Sequence, residues 1–232
     1  MIWVIIIVAV GLYVWYKKTH YNDSAELKKE FKEVKGITDD QKAVLRYFLN
    51  EPSCLSKKPI SDDEYDEMVR KVLNSTDYRK RALEKIGLDE DQLKEIEPVH
   101  FEGFVYDDNS FSKKSEKDGL WCSSKYQVSW LFFSANQLYL YQNTFNMDRH
   151  DKKELTLEYF YKDVTNFTSS SDTVQSRVYD HKEHKIAIET IDSNRFMVVV
   201  PGDKFYCSLQ QNDYTERAIQ GMKAMLREKK NA

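Results

Sequence analysis

The chain contains few residues of the types whose abundance would mark several protein classes. It has seven Gly and four Pro among 232 residues, too few for a linker-dominated or low-complexity protein. Its three cysteines, Cys54, Cys122 and Cys207, are widely separated and odd in number. Neither a disulfide framework nor a Cys-x-x-Cys zinc or redox site is therefore expected, and the thiols are predicted to be reduced.

Positive and negative side chains are also present in nearly equal numbers. The chain carries 35 Lys and Arg against 38 Asp and Glu, and neither part is basic when it is divided at Pro98. Nucleic-acid-binding domains usually have an excess of basic residues, because neutralisation of phosphates supplies most of their affinity. We therefore expect no nucleic-acid partner.

Apolar and aromatic residues are abundant, at 41% and 13% of the chain. A disordered polymer would not carry so much apolar surface. The length suits one domain with an accessory region, or two small domains.

The first sixteen residues, MIWVIIIVAVGLYVWY, carry no charged side chain. As a helix they would span roughly 24 Å, close to the roughly 30 Å of a hydrocarbon core. No charged region precedes the apolar run and no small-residue cleavage site ends it, which disfavours a signal peptide. The segment predicts a transmembrane anchor over residues 1–18, with aromatic side chains at both interfaces and two lysines that reach toward the headgroups. The predicted anchor residues are Trp3, Trp15, Tyr16, Lys17 and Lys18.

The two lysines also predict an orientation. Positive charges flanking a membrane span stay in the cytoplasm, so residues 19–232 would face the cytoplasm with the amino terminus outside. The predicted location is the inner (cytoplasmic) membrane, as a single-pass protein.

Residues 19–97 have helical periodicity and are predicted to form an all-α segment. Thr38 with Gln41, and Ser61 with Glu64, are capping-box patterns that begin helices. Gly87 is expected to end a helix that begins near Asp77. The acidic residues that follow Ser61 are interpreted as the complement of a helix amino terminus, since they lack the spacing and glycine of an EF-hand loop. These residues are Asp62, Asp63, Glu64, Asp66 and Glu67.

Residues 98–232 have the alternation of strands, followed by one amphipathic helix. The strands are predicted at 100–106, 126–133, 138–145, 154–161, 163–168, 185–191, 195–200 and 204–209, with a polar stretch at 169–177 and a turn at 192–194. The helix would bury an apolar stripe over residues 214–226. The predicted fold class is α+β: a transmembrane helix, an all-α middle and a carboxy-terminal barrel or sandwich of about seven antiparallel strands with a final helix.

Two short patterns suggest a family for the carboxy-terminal part. Ser134, Asn136, Leu138 and Tyr139 form a hairpin pattern, and the sequence YKDV at residues 161–164 leads into the next strand. With these patterns, residues 99–228 resemble the bacterial pleckstrin-homology-like domains of the PH and GRAM type. The resemblance implies a PH-like fold and a binding role. The early hairpin loop lacks the dense Lys/Arg cluster of lipid-binding PH domains, which disfavours phosphoinositide binding.

No catalytic, cofactor or metal site is predicted. His181 and His184 lie near acidic residues, but the spacing supplies no third ligand, and His150 is in a similar setting. The chain contains no Gly-rich phosphate loop, Gly-x-Ser-x-Gly elbow or His-Glu-x-x-His sequence.

The favoured function is a membrane-anchored, cytoplasm-facing scaffold, not an enzyme, that recruits a protein, a peptide strand or lipid headgroups through its PH-like domain. β-Augmentation at a sheet edge is one route to such recognition. The alternatives are a membrane-bound hydrolase that uses Cys122 or His100 with a carboxylate, and an accessory subunit of a membrane stress or defence system.

Overall fold

A computed structural model describes residues 36–49, 59–89, 96–180, 182–183, 185–210 and 212–231. Four helices lie in these ranges: α1 (Asp39–Leu49), α2 (Asp62–Asn74), α3 (Tyr78–Ile86) and α4 (Asp213–Asn231). The nine strands are β1 (Val99–Phe104), β2 (Phe111–Lys114), β3 (Trp121–Ser123), β4 (Lys125–Phe133), β5 (Gln137–Asn146), β6 (Lys152–Phe160), β7 (Asn166–Asp180), β8 (Lys185–Val200) and β9 (Asp203–Ser208).

The ends of the first three helices follow from local hydrogen bonding, as predicted. The Gln41 N–H donates to Thr38 Oγ1 at 3.2 Å and the Thr38 N–H donates to the Gln41 side chain at 2.9 Å. Ser61 and Glu64 form the same reciprocal box at the start of α2. The Gly87 backbone has a φ of 77° and ends α3, a conformation that glycine adopts without the steric cost of a Cβ.

The strands form two open sheets. One has the order β1-β4-β5-β6 and the other has the order β3-β2-β7-β8-β9. The contact of β2 with β7 is parallel and the other pairings are antiparallel.

The two sheets approach each other where β1 meets the end of β9. The Gln210 N–H donates to the Glu102 carbonyl at 3.0 Å. A Cβ on Gly103 would lie 3.3 Å from backbone atoms of Leu209 and Gln210. A larger residue at position 103 would push the two sheets apart here.

Two large hydrophobic clusters hold these layers together. The first joins α1 and α2 to β2, β3 and β4, and contains a stack of Tyr47 on Tyr65 with ring centroids 4.7 Å apart. The second lies between the sheets, where Ile219, Met222 and Leu226 of α4 cover it. A smaller cluster joins α3 to β4 and β5.

The predicted fold class is corrected by this architecture. The helices do not form a separate all-α segment, because Tyr47 and Tyr65 share one hydrophobic cluster with Phe111 and Cys122 of the sheets. The strands form two open sheets in place of a closed barrel, and nine strands are described where about seven were predicted. The extra strands include β2 and β3, which are four and three residues long.

The prediction of a single-pass protein of the inner membrane is corrected as well. Among the residues that the structure describes, no helix is both long and apolar enough to cross a bilayer. The longest, α4, has 19 residues, but charged side chains interrupt it from Asp213 to Lys230, which is incompatible with a hydrocarbon environment. The anchor predicted over residues 1–18, with Trp3, Trp15, Tyr16, Lys17 and Lys18, lies outside the described residues.

Candidate functional site

A cleft of about 800 Å3 lies between α2 and the sheets. Helix α2 forms one wall and β1 forms the base. The loop of residues 115–120 closes one end, and β8 with the segment after β9 forms the opposite side. This volume is within the range of roughly 300–1,000 Å3 that is usual for ligand sites.

The lining of the cleft is acidic and aromatic, and we call it the acidic cleft. Its cationic side chains are Arg70 and Lys117. Its carboxylates are Asp62, Asp66, Glu102, Asp118 and Asp192. Its aromatic side chains are Tyr47, Phe104, Tyr106, Trp121 and Tyr126. Carboxylates therefore outnumber cations here, although the whole chain is close to neutral.

Helix α2 presents one face to the acidic cleft. Asp62, Asp66, Val69 and Leu73 line it, and their spacing of four, three and four residues follows one side of an α-helix. The capping box at Ser61 fixes where the helix begins. Asp62 therefore lies in the first turn, one turn before Asp66.

Asp62 organises the end of the cleft. Its Oδ1 accepts a hydrogen bond from the Tyr47 hydroxyl at 2.8 Å. Its Oδ2 accepts from the backbone N–H groups of Glu116 at 2.7 Å and Lys117 at 3.2 Å. Burial opposes ionisation of this carboxyl, but the bonds from Tyr47, Ser115 and these two N–H groups lower its pKa below the usual value. The Asp62 carboxylate thus joins the 115–120 loop to α1 and α2 through these hydrogen bonds.

Asp66 is in the opposite electrostatic situation. Burial raises the pKa of its carboxyl above the usual value; Lys117 and Arg70 oppose the rise, and Asp63 and Asp118 add to it. Its negative charge is thus incompletely compensated by the surrounding protein. A cation bound in the cleft would supply the missing compensation.

Glu102 forms a polar group on the base of the cleft. The His100 Nε2 lies 3.1 Å from Glu102 Oε2, and the His100 ring stacks on Trp130 with centroids 4.9 Å apart. Burial raises the pKa of the Tyr126 hydroxyl, and the neighbouring Glu102 carboxylate, to which it donates, raises it further. Tyr126 is therefore the hydrogen-bond donor and Glu102 the acceptor in this pair.

Cys122 does not have the surroundings of a nucleophile. Its Sγ lies 3.3 Å from the Tyr47 hydroxyl and 3.2 Å from the Lys113 carbonyl oxygen, so neither of these partners is a histidine. Burial raises the pKa of the thiol to about 11. At neutral pH the group is a protonated thiol, whereas nucleophilic cysteines require a thiolate.

The acidic residues at the start of α2 have different roles. Glu64 completes the capping box, Asp63 forms an ion pair with Lys117, and Asp62 and Asp66 face the acidic cleft. No group of three or more potential metal ligands occurs in the described ranges.

His150 does not line the acidic cleft. His150 lies 3.1 Å from the Gly36 carbonyl oxygen and 3.4 Å from the Gln41 side-chain nitrogen. His181, His184 and Cys54 lie outside the described residues.

Sequence reasoning did not find the residues that complete this cleft. Tyr47, Glu102 and Asp192 come from α1, β1 and β8, and no local pattern links them. The abundance of tyrosine was the one available signal, and it does not specify positions.

The chain was compared with known proteins in three ways. No protein-family model, no curated protein and no solved structure matches it. The geometry of the cleft is therefore the basis for any assignment of function.

Proposed function

We propose that this protein is a binding module that captures a lysine- or arginine-rich segment of a partner protein in the acidic cleft. The observation that carries the proposal is the incompletely compensated Asp66 in a cleft where carboxylates outnumber cations. Electrostatic complementarity of this kind selects partners and accelerates their encounter.

The aromatic side chains support the same class of ligand. Aromatic faces attract ammonium and guanidinium groups at distances up to about 6 Å. Lys113 Nζ lies 4.4 Å from the centroid of the Tyr47 ring, and Lys114 Nζ lies 5.3 Å from that of Trp121. Lys113 and Lys114 therefore occupy one face of Tyr47 and of Trp121, and the other aromatic rings that line the cleft are those of Phe104, Tyr106 and Tyr126.

The sign of the charge disfavours two other ligand classes. Lipid headgroups and nucleic acids present phosphates, which the carboxylates of the cleft would repel. The resemblance of residues 99–228 to PH-like domains remains a hypothesis, and it agrees with a binding role because such domains are binding modules.

A hydrolase is the competing proposal, and the His100–Glu102 pair is the observation in its favour. A histidine beside a carboxylate can act as a general base. However, Cys122 is hydrogen-bonded to the Tyr47 hydroxyl and the Lys113 carbonyl oxygen. Burial raises the pKa of its thiol, which favours the protonated form. This arrangement supports binding over covalent catalysis.

The experiment is a titration of labelled peptides with the full-length protein, followed by fluorescence anisotropy. We expect a Lys/Arg-rich peptide to bind and a Glu-rich peptide of equal length not to bind. Asp66→Asn should raise the dissociation constant about fivefold, the effect of losing one partly solvated charge interaction. Added salt should weaken binding further.

Asp203→Asn is the matched control, because Asp203 is exposed in β9 and does not line the cleft. Equal binding of both peptides, or equal effects of the two substitutions, would contradict the proposal. Turnover of a hydrolase substrate that His100→Ala abolishes would favour the competing function.

A further inference from the structure

Strand β6 forms one edge of the four-stranded sheet and pairs with β5 along its whole length. The pairing is continuous from Lys152 to Phe160 without a bulge, and β6 contains no proline. Edge strands in monomeric proteins are usually short or protected by bulges and prolines, because an unpaired edge invites another strand. This edge, in the described part of the chain, is nine residues long and has neither a bulge nor a proline; its charged residues are Lys152, Lys153, Glu154 and Glu158.

The hydrogen bonds between β5 and β6 show which backbone N–H and C=O groups of β6 are left unpaired by β5. The Asn146 N–H donates to the Asp151 carbonyl at 3.1 Å, and the Tyr161 N–H donates to the Asn136 carbonyl at 3.1 Å. Bonded and non-bonded pairs alternate along an antiparallel ladder. The odd-numbered residues of β6 are therefore bonded to β5. The residues whose N–H and C=O groups point away from β5 are Lys152, Glu154, Thr156, Glu158 and Phe160.

We propose that β6 pairs with β6 of a second copy of this chain in an antiparallel arrangement centred on Leu155. In this register Lys152 lies opposite Glu158 of the second copy, and the two-fold symmetry forms that pair twice. Glu154 lies opposite Thr156 of the second copy. The outward residues then form about eight backbone hydrogen bonds between the copies.

Charge distinguishes this register from its neighbours. Centring on Thr156 would place Glu154 opposite Glu158 of the second copy twice, which is repulsive. Centring on Leu157 would leave Lys152 beyond the paired residues. Lys152 is exposed, and it forms no ion pair with any residue that the structure describes. The strand is therefore self-complementary in the Leu155 register.

The face of β6 that points into the molecule supports the same arrangement. Leu155, Leu157 and Tyr159 are only partly buried against the cluster between the sheets. A second strand alongside would extend this apolar face, with Leu155 beside its symmetry mate and Leu157 beside the alkyl chain of Lys153 of the second copy. Both backbone bonding and apolar burial would then favour the dimer.

The register can be read by disulfide cross-linking of the full-length protein with Cys54 replaced by serine. The two remaining cysteines, Cys122 and Cys207, are buried. Facing residues in a non-bonded antiparallel pair have Cα atoms about 4.5 Å apart, within the range of disulfides. Under mild oxidation, Leu155→Cys should cross-link severalfold faster than Thr156→Cys or Leu157→Cys. Faster cross-linking at either other position, or none at all, would overturn the proposal.

Charge reversal gives an independent measurement by sedimentation equilibrium. Lys152→Glu or Glu158→Lys alone should raise the dimer dissociation constant about tenfold, because each creates two like-charge pairs. The double variant should restore it. A chain that is monomeric at every concentration, or a dimer whose dissociation constant is changed by neither substitution, would refute the pairing.

Proline substitution separates dimerisation from folding. Thr156→Pro removes an outward N–H that β5 does not use. It should abolish dimerisation, with little change in the melting temperature measured at a concentration where the wild-type protein is monomeric. Thr156→Ala is the matched control and should still dimerise. If Thr156→Pro strongly destabilises a monomeric wild-type protein, the edge is covered by another part of the chain and the proposal fails.

Discussion

Glu154 connects helix α3 to the sheet, and its removal should produce a pH-dependent loss of stability. Its carboxylate accepts hydrogen bonds from Arg81 Nε at 2.5 Å and Arg81 Nη2 at 3.0 Å. The Tyr141 hydroxyl donates to it at 2.7 Å, and Lys85 Nζ lies 3.6 Å away. The hydrogen bonds from Arg81, more than the bond from Tyr141 and the positive charge of Lys85, lower the pKa of Glu154 to about 2.

The expected loss of stability follows from the lowered pKa of Glu154. A shift from the usual value of 4.5 to about 2 would correspond to about 3 kcal/mol if the group were fully shielded from solvent. The Arg81 side chain is 39% exposed, so solvent screening reduces the effect. We expect Glu154→Gln to lower the free energy of unfolding by about 1–2 kcal/mol at pH 7.

The sign of the pH dependence is fixed by the depressed pKa. The stabilisation is present above the pKa of the unfolded chain, near 4.5, and is lost as the pH falls toward about 2 because the folded state then takes up a proton as well. The difference in unfolding free energy between wild type and Glu154→Gln should therefore shrink from pH 7 to pH 3.

Urea denaturation at dilute protein concentration measures this difference. Glu158→Gln is the matched control, since Glu158 lies on the same face of β6 and is exposed; it accepts from the Gln137 amide and should change stability by less than about 0.5 kcal/mol. A penalty for Glu154→Gln that is equal at pH 3 and pH 7, or that Glu158→Gln reproduces, would refute the reasoning.

Two further predictions concern the helices that border the acidic cleft. Asp66→Asn should raise the melting temperature at pH 7 but not at pH 4, because burial holds the pKa of Asp66 above its usual value and its ionisation costs stability as the pH rises; an unchanged or lower melting temperature at pH 7 would contradict this. Tyr65→Phe should cost about 1–2 kcal/mol in urea denaturation, since the buried Tyr65 hydroxyl donates to the Ser123 carbonyl at 2.6 Å. Tyr214→Phe is its control, because Tyr214 is 49% exposed, and an equal cost for both would disprove the assigned bond.

Strand lengths show where local propensity was overridden. Residues 169–177 are polar, and Asp192-Ser193-Asn194 has the composition of a turn. In the structure both segments lie inside long strands, with Thr173 paired to Asp192 and Ser171 paired to Asn194. Backbone pairing along β7 and β8, which are 15 and 16 residues long, outweighed the preference of these residues for turns.

The final helix was predicted from its apolar stripe with one residue in error. Ile219, Met222 and Leu226 are buried, as the periodicity indicated. Tyr214 is 49% exposed, whereas its neighbour Thr215 is buried. The buried face of α4 therefore follows Thr215, Ile219, Met222 and Leu226, at spacings of four, three and four residues. Hydrophobic periodicity did not include Thr215, because a polar residue occupies the first position of the buried face.

The sequence by itself determined the features that depend on neighbours within a few residues. The capping boxes at Thr38 and Ser61, the stop at Gly87 and the positions of several strands belong to this class. Only the tertiary structure decided that the sheets are open and that Asp66, Glu102 and Asp192 meet in one cleft. These features depend on pairings between residues far apart in the chain, and their free energy comes from burial and backbone bonding that no short segment specifies.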